Sequence, residues 1–254
     1  MTVLPPMLTR QTPEIAVLRV ASDTEPHLHT AMIPAFREAA AQIAADEQIR
    51  VVLVEGGSRH FSAGAKLEEL AAVDPAAQVT SYVAELPRAI LSIPVPTIAV
   101  MEGHAVGGGL VLGLWCDIAV LAEESLYGTN FMALGFTPGM GATAVVPDAL
   151  GGPLGREMLL TGRMLKRREI RQAGVPLSGS VVPRAEVRER ALEVARSLAE
   201  TPREALVFLE GRLKEARRQA LEEALTAETR MHGKLFSDPK TRKHIDDRYA
   251  RALS

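Results

Sequence analysis

Two glycine-bearing stretches give this sequence its best-placed main-chain donors. Phe61-Ser62-Ala63-Gly64-Ala65 follows an apolar, β-branched run, and Gly103-His104-Ala105-Val106-Gly107-Gly108-Gly109 follows another. Small residues between a strand and a helix let backbone amides come close to a ligand. The first N–H groups of a helix also lack partners inside it. Two such turns can supply the two hydrogen bonds that an enolate oxygen needs, each contributing about 3 kcal/mol at little reorganisation cost. Tight turns that hold no ligand would leave the same pattern. A dinucleotide site is disfavoured, because neither stretch reproduces the G-x-G-x-x-G spacing.

Few side chains stand ready to move protons. His232 precedes Leu235 and Phe236 on a charged, helix-forming segment, and Lys66 directly follows Ala65 and is the only lysine before position 166. A lysine there could pair with a departing carboxylate or donate a proton; a surface residue at a helix start is the alternative. Tyr82, Tyr127 and Asn130 could line a pocket with polar donors, although a buried aromatic with one satisfied polar atom is equally common. His104 is expected to shape its turn, and His60 is a loop histidine that could touch a phosphate. His27 and His29 lack a matching carboxylate cluster, so no metal site is expected. Cys116, the single cysteine, lies between Trp115 and Asp117 and reads as a small buried residue rather than a nucleophile.

The elements that must position these residues alternate. Residues 14–21, 50–55, 97–101 and 117–122 read as strands, the second ending in Gly56-Gly57, and 30–45 as a helix with Ile33, Phe36 and Ile43 near one face. A helix is expected to start near Lys66, and a short apolar helix to follow the glycine triplet. Strand and helix units in this order imply an α/β core over residues 1–182. From 183 to 254 the chain becomes charged and amphipathic, with helices over 184–199 and 203–225, a break at Asp238-Pro239 and a last helix ending near Leu253. No internal repeat is visible.

A chain of 254 residues with 47% hydrophobic content can bury one sizeable core. The formal net charge of −2 supports neither nucleic acid nor an anionic membrane as partner. Residues 105–122 are apolar enough to suggest a membrane span, but contain three consecutive glycines and Asp117. With no secretory leader visible and one cysteine, a reducing, cytoplasmic setting is expected.

The ordered series Phe61 to Ala65, Gly103 to Gly109, Cys116-Asp117 and Gly135-Phe136-Thr137-Pro138-Gly139-Met140-Gly141 resembles the crotonase (enoyl-CoA hydratase/isomerase) superfamily over nearly the whole chain. The resemblance implies an α/β fold built as a spiral of β-β-α units with a C-terminal helical region that trimerises and covers the pocket. It implies that the amides of Ala65 and Gly108 form an oxyanion hole. It also implies that hydratases carry two glutamates at positions that here hold Val111 and Phe131, neither of which can transfer a proton. Hydration through two carboxylates is therefore not expected; an apolar pocket would favour losing a bound carboxylate as carbon dioxide.

Tyr127 to Phe131, Gly135 to Thr143, Gly174-Val175-Pro176, Val182 to Val187 and Met231-His232 narrow the resemblance to the polyketide β-branching decarboxylases. These imply a lyase that converts 3-methylglutaconyl-carrier protein to 3-methylcrotonyl-carrier protein through a dienolate. The catalytic set so implied is Ala65, Gly108, His232 and Lys66, with Ala63, Tyr82, Val111, Tyr127, Asn130 and Phe131 binding substrate. The family places its lysine further along the helix after the first loop, where this chain has Glu68, Glu69 and Val73. No cofactor is expected, the substrate being carried on the phosphopantetheine of an acyl carrier protein or on coenzyme A. The implied partners are that carrier protein and further copies of the chain, as a homo-trimer or higher cyclic oligomer. A double-bond isomerase and a catalytically silent carrier-protein-binding module remain as other readings.

Overall fold

A computed structural model describes residues 7–66, 78–166, 169–170, 181–236, 238–241, 243–244 and 247; the side chains of 78–83 and of Phe236 lie outside the described set. Glu68, Glu69, Val73, the Gly174-Val175-Pro176 motif and the side chain of Tyr82 fall outside it.

The chain lays down strands β1 (Leu8–Arg10) and β2 (Ile15–Arg19), helix α1 (Met32–Ala45), and then repeats a β-β-α unit. The units are β3 (Val51–Glu55), β4 (His60–Ser62) and α2 (Gln78–Ser92); β5 (Thr97–Met101), β6 (His104–Val106) and α3 (Gly108–Leu114); β7 (Ile118–Ala122), β8 (Tyr127–Gly128) and α4 (Phe131–Leu134). Helices α5 (Ala142–Leu150) and α6 (Gly152–Thr161), strands β9 (Met164–Leu165) and β10 (Val181–Val182), and helices α7 (Arg184–Ala199) and α8 (Arg203–Phe236) follow. The first strand of each unit joins a six-stranded sheet ordered β1-β2-β3-β5-β7-β10, and the second joins a four-stranded sheet ordered β4-β6-β8-β9. This is the expected α/β spiral of β-β-α units. The sequence reading merged β4, β6 and β8 into loops, because two or three residues are too few to show a period.

Parallel strands covered on both faces read as continuous apolar runs, and β2, β3 and β5 behave so. Ala16, Leu18, Val52, Val54 and Ala99 face the main core, while Ile15, Val17, Leu53 and Ile98 face the second, smaller core built with Val187, Ala191 and Ala195 of α7. The expected bounds of β5 and α7 match those observed. α7 carries Glu186 in its first turn and Arg196 in its last, which suits the helix dipole.

α8 departs from expectation. It continues as one helix of 34 residues instead of ending at Leu225. Its buried stripe runs Leu206, Glu210, Lys214, Leu221, Ala224, Leu225, Glu228 and His232, at the three- and four-residue spacing of one helix face. Half of that stripe is polar, so hydrophobic periodicity fades where the helix continues.

Candidate active site

The two glycine-bearing turns meet. A Cβ built on Gly64 would sit 2.9 Å from Val106 O and 3.4 Å from Gly108 N, and one on Gly109 would sit 2.5 Å from Ser62 O. With standard peptide geometry, these distances bring the Ala65 and Gly108 nitrogens to within about 7 Å of each other. The apposition follows from β4 pairing in parallel with β6, which aligns the ends of both strands. Gly64 has φ 79° and Gly107 φ 56°, a region closed to most side chains.

Both amides are left over from the main-chain ladder. Leu28 bridges Ala65, but the hydrogen bond runs from Leu28 N–H to Gly64 O at 2.9 Å, so the N–H of Ala65, on the opposite side of that peptide, points away from Leu28. Gly108 is the first residue of α3, whose earliest N–H groups have no helical acceptor. The first described bond at this end runs from Val111 N to Gly107 O. Ala63 is half-buried and its N–H donates to Pro26 O at 2.7 Å.

Around this meeting point the side chains are apolar or amide. Val111 is fully buried one turn into α3. Asn130 Oδ1 and the Phe131 ring lie 2.8 and 3.8 Å from where a Cβ on Gly107 would stand, and Phe131 meets Phe136 edge-on at 5.8 Å. Met140 Sδ lies 2.7 Å from the corresponding point on Gly108, and Leu28 Cδ1 3.8 Å from it. The structure thus gathers Ala63, Ala65, Gly108, Val111, Asn130 and Phe131.

It does not bring Tyr127 to the same use. That hydroxyl donates to Met101 O and accepts from Ala122 N, both at 2.8 Å, and burial pushes its pKa upward. It ties the ends of β5 and β7 together instead of facing a ligand. Lys66 is likewise engaged, its Nζ lying 3.1 Å from Glu25 Oε1. Glu25 also takes His29 Nε2 at 2.9 Å and approaches His27 Nδ1 at 3.7 Å. Burial raises the Glu25 carboxyl, but His29 and Lys66 outweigh it and hold it below its usual range. Glu25 is a single carboxylate that Lys66 shares, so the two histidines meet no carboxylate cluster among the described residues. His104 Nδ1 accepts from Leu126 N at 3.0 Å, so it shapes its turn as expected. Cys116 is buried and its thiol is pushed up to about 12, which removes any thiolate.

His232 reaches the loop that carries Met140. It is 6% exposed, and Nε2 lies 2.8 Å from Thr137 O, so this nitrogen must be the protonated one. Burial lowers its pKa against the opposing pull of the Thr137 and Pro138 carbonyls, which favours neutral imidazole. One turn earlier on α8, the buried Glu228 accepts from Gly141 N at 2.8 Å, Thr143 N at 2.9 Å and Thr143 Oγ1 at 2.8 Å. Burial raises the Glu228 carboxyl more than these donors lower it. Sequence reasoning missed Glu228; the available signal was its position four residues before His232.

The fold agrees with that of known proteins. The Enoyl-CoA hydratase/isomerase family model matches residues 17–250. The chain belongs to this family. It is 38% identical to the bacillaene synthase decarboxylase PksI of Bacillus subtilis over 201 residues, 79% of each chain. It is 34% identical to the 2,3-dehydroadipyl-CoA hydratase of Escherichia coli over 194 residues, 76% of this chain and 74% of that one. Among solved structures, a dehydratase/decarboxylase enzyme couple involved in polyketide β-branching superposes with a TM-score of 0.83 at 32% identity, covering 94% of this chain and 97% of that one. The ECH2 decarboxylase domain of CurF from Lyngbya majuscula gives 0.82 at 30%, with the same coverage. The chain is an enzyme of this superfamily, and it resembles the polyketide β-branching decarboxylases in sequence and fold. Among the described residues no helix is long and apolar enough to cross a membrane.

Proposed function

We propose that this enzyme is a lyase that decarboxylates 3-methylglutaconyl-acyl-carrier protein to 3-methylcrotonyl-acyl-carrier protein during polyketide β-branching. The observation that carries the reading is the apposition of two glycine-bearing turns beside Val111 and Phe131. A water-adding enzyme needs groups that exchange protons at such positions, and neither side chain can. This favours decarboxylation over hydration for this chain.

In the proposed reaction the bond to the terminal carboxylate breaks and carbon dioxide leaves. Its electron pair spreads into a dienolate whose charge reaches the thioester oxygen. The N–H groups of Ala65 and Gly108 hold that oxygen, and fixed donors in a water-poor site stabilise it at little reorganisation cost. A proton then returns to carbon. His232 is assigned as proton donor or substrate clamp; held neutral by burial, it has one N–H, which is given to Thr137 O and has to leave that carbonyl to reach the substrate. Lys66 can act on the substrate only after parting from Glu25, which makes its role secondary. Asn130, Phe131, Val111 and Ala63 line the acyl site. The substrate arrives on the phosphopantetheine of a carrier protein or on coenzyme A, no other cofactor is required, and the chain works as a homo-trimer or higher cyclic oligomer with α7 and α8 contributing to the contacts.

Intact-mass analysis of 3-methylglutaconyl-carrier protein incubated with the enzyme tests the reading. Loss of one carbon dioxide is expected, and His232→Ala should slow it by about tenfold to ten-thousandfold, the span of general acid–base effects. Unchanged mass with a moved alkene in the proton NMR spectrum would replace the decarboxylase with an isomerase. Unchanged substrate in both measurements would leave a silent carrier-protein-binding module.

A further inference from the structure

We infer that Glu228 is a positioning residue, which fixes the Gly108 amide through the turn at Met140. The inference rests on the oxyanion reading above and extends it to a residue that does not touch substrate.

Met140 has φ 65°, the one non-glycine residue with positive φ among those described. A side chain in that region costs on the order of 1–2 kcal/mol and persists only where the surroundings over-determine it. Here they do so from both sides. Trp115 Nε1 donates to Met140 O at 2.8 Å, and Glu228 takes the next N–H, that of Gly141. Gly141 itself leaves no room to relax, since a Cβ on it would lie 2.6 Å from Leu221 Cδ1 and 2.7 Å from Trp115 Cζ2. The result of this constraint is local: Met140, 4% exposed, sets its sulfur against the α-carbon of Gly108.

The chemistry of Glu228 suits the task. Two backbone N–H groups and one hydroxyl point at a single carboxylate, and the two N–H groups go to different oxygens, that of Gly141 to Oε2 and that of Thr143 to Oε1. A glutamine in its place keeps the shape, but its NH2 group would face the Gly141 or the Thr143 N–H, leaving a buried donor unpaired. The turn then loses its hold on one side of Met140. Gly108 sits at the unsupported start of a seven-residue helix and loses the side chain that backs it. Displacements of about 1 Å in such a donor can lower a rate by about a hundredfold.

The test uses the full chain and acetoacetyl-coenzyme A, whose enolate absorbs in the near ultraviolet and requires the same oxygen site. Glu228→Gln should weaken the enolate band of the bound ligand by about tenfold or more in apparent affinity and lower kcat for decarboxylation by about ten- to a hundredfold. Binding of 3-methylcrotonyl-coenzyme A and KM should change by less than about twofold, because a ground-state carbonyl asks less of the donor. A general loss of stability would instead reduce all of these together with the folded fraction. An enolate band and kcat equal to wild type in folded Glu228→Gln would overturn the inference. Should that variant not fold, Met140→Gly answers the same question, since glycine accepts φ 65° freely and the contact on Gly108 is lost with the rest of the Met140 side chain's packing. Its enolate band should fall by a similar factor, and a wild-type band would overturn the link through Met140. A wild-type enzyme that shows the band but releases no carbon dioxide would sink the proposed reaction and leave this inference standing; no band in the wild type would sink the oxyanion reading and the inference together.

Discussion

Gly108 of the paired glycine turns and Glu228 and His232 of the polar stripe of α8 converge on the same loop, residues 137–143, yet turns and stripe are held by opposite means. The turns depend on the absence of side chains, with Gly64, Gly108 and Gly109 approached so closely that a methyl group would collide with Val106, Met140 or Ser62. The stripe depends on side chains with charge. The fully buried Lys214 reaches the carbonyls of Ile93 and Val95 and the carboxylates of Asp117 and Glu210, all within 2.9–3.1 Å. Arg217 bonds to Asp117 at 2.8 Å and to the Leu114, Trp115 and Cys116 carbonyls that end α3, and lies over the Trp115 ring. One region sets where amides point; the other keeps the helix and the loop in place. Function and stability should therefore separate when each is broken in turn.

The largest effect is expected from Lys214→Met. It leaves the half-buried Asp117 and the buried Glu210 carboxylates without their shared cation, and breaking such a set costs about 3–5 kcal/mol. Urea unfolding should show this loss while kcat per folded molecule stays within about twofold. A small stability change would mean that Arg217 and Thr97 suffice for Asp117, and the contrast between the regions would weaken.

Gly64→Ala is the converse experiment. Its Cβ would press on Val106 O and crowd Gly108 N, at a φ that disfavours alanine. Loss of one donor to a developing oxyanion lowers kcat by about 10²–10³, which single-turnover decarboxylation would detect, and the thermal midpoint should fall far less than for Lys214→Met. Retained turnover would show that the amides are not the working part of these turns.

The smallest effect is a pH dependence in which the two residues of α8 pull in opposite directions. His232 is held below its ordinary value of 6.5. Its contribution is therefore present above about 6.5 and lost as pH falls through the folded pKa, because the unfolded chain takes up a proton that the folded one resists. Glu228 is held above 4.5, so its contribution is present below that value and lost as pH rises through its folded pKa. His232→Gln should flatten the fall in thermal midpoint between about pH 6.5 and 5 relative to wild type, and an unchanged slope would place the proton elsewhere.

Much of the frame could be read from residue order. β5, α3 and α7 appear where apolar runs, the glycine triplet and the 183–184 boundary imply them. The short strands β4, β6 and β8 could not, since two or three residues carry no period, and their partners lie 22 to 44 positions away. The end of α8 was hidden for a different reason. Beyond Leu225 its inward face presents Glu228 and His232, and a polar inward face looks like a surface.

Residue types alone determined that two turns near Ala65 and Gly108 could bring main-chain donors close to a ligand, because only glycine accepts such contacts. They also determined that Val111 and Phe131 cannot carry protons, because no fold changes what an alkyl or phenyl group can do. Tertiary structure decided which polar side chains are free to act. It bound the Tyr127 hydroxyl between two strands, gave Lys66 to Glu25, and set Glu228 and His232 on a loop some 85 to 95 residues earlier in the chain. Hydrogen-bond partners so distant in sequence are chosen by packing, and packing exists only once the chain has folded.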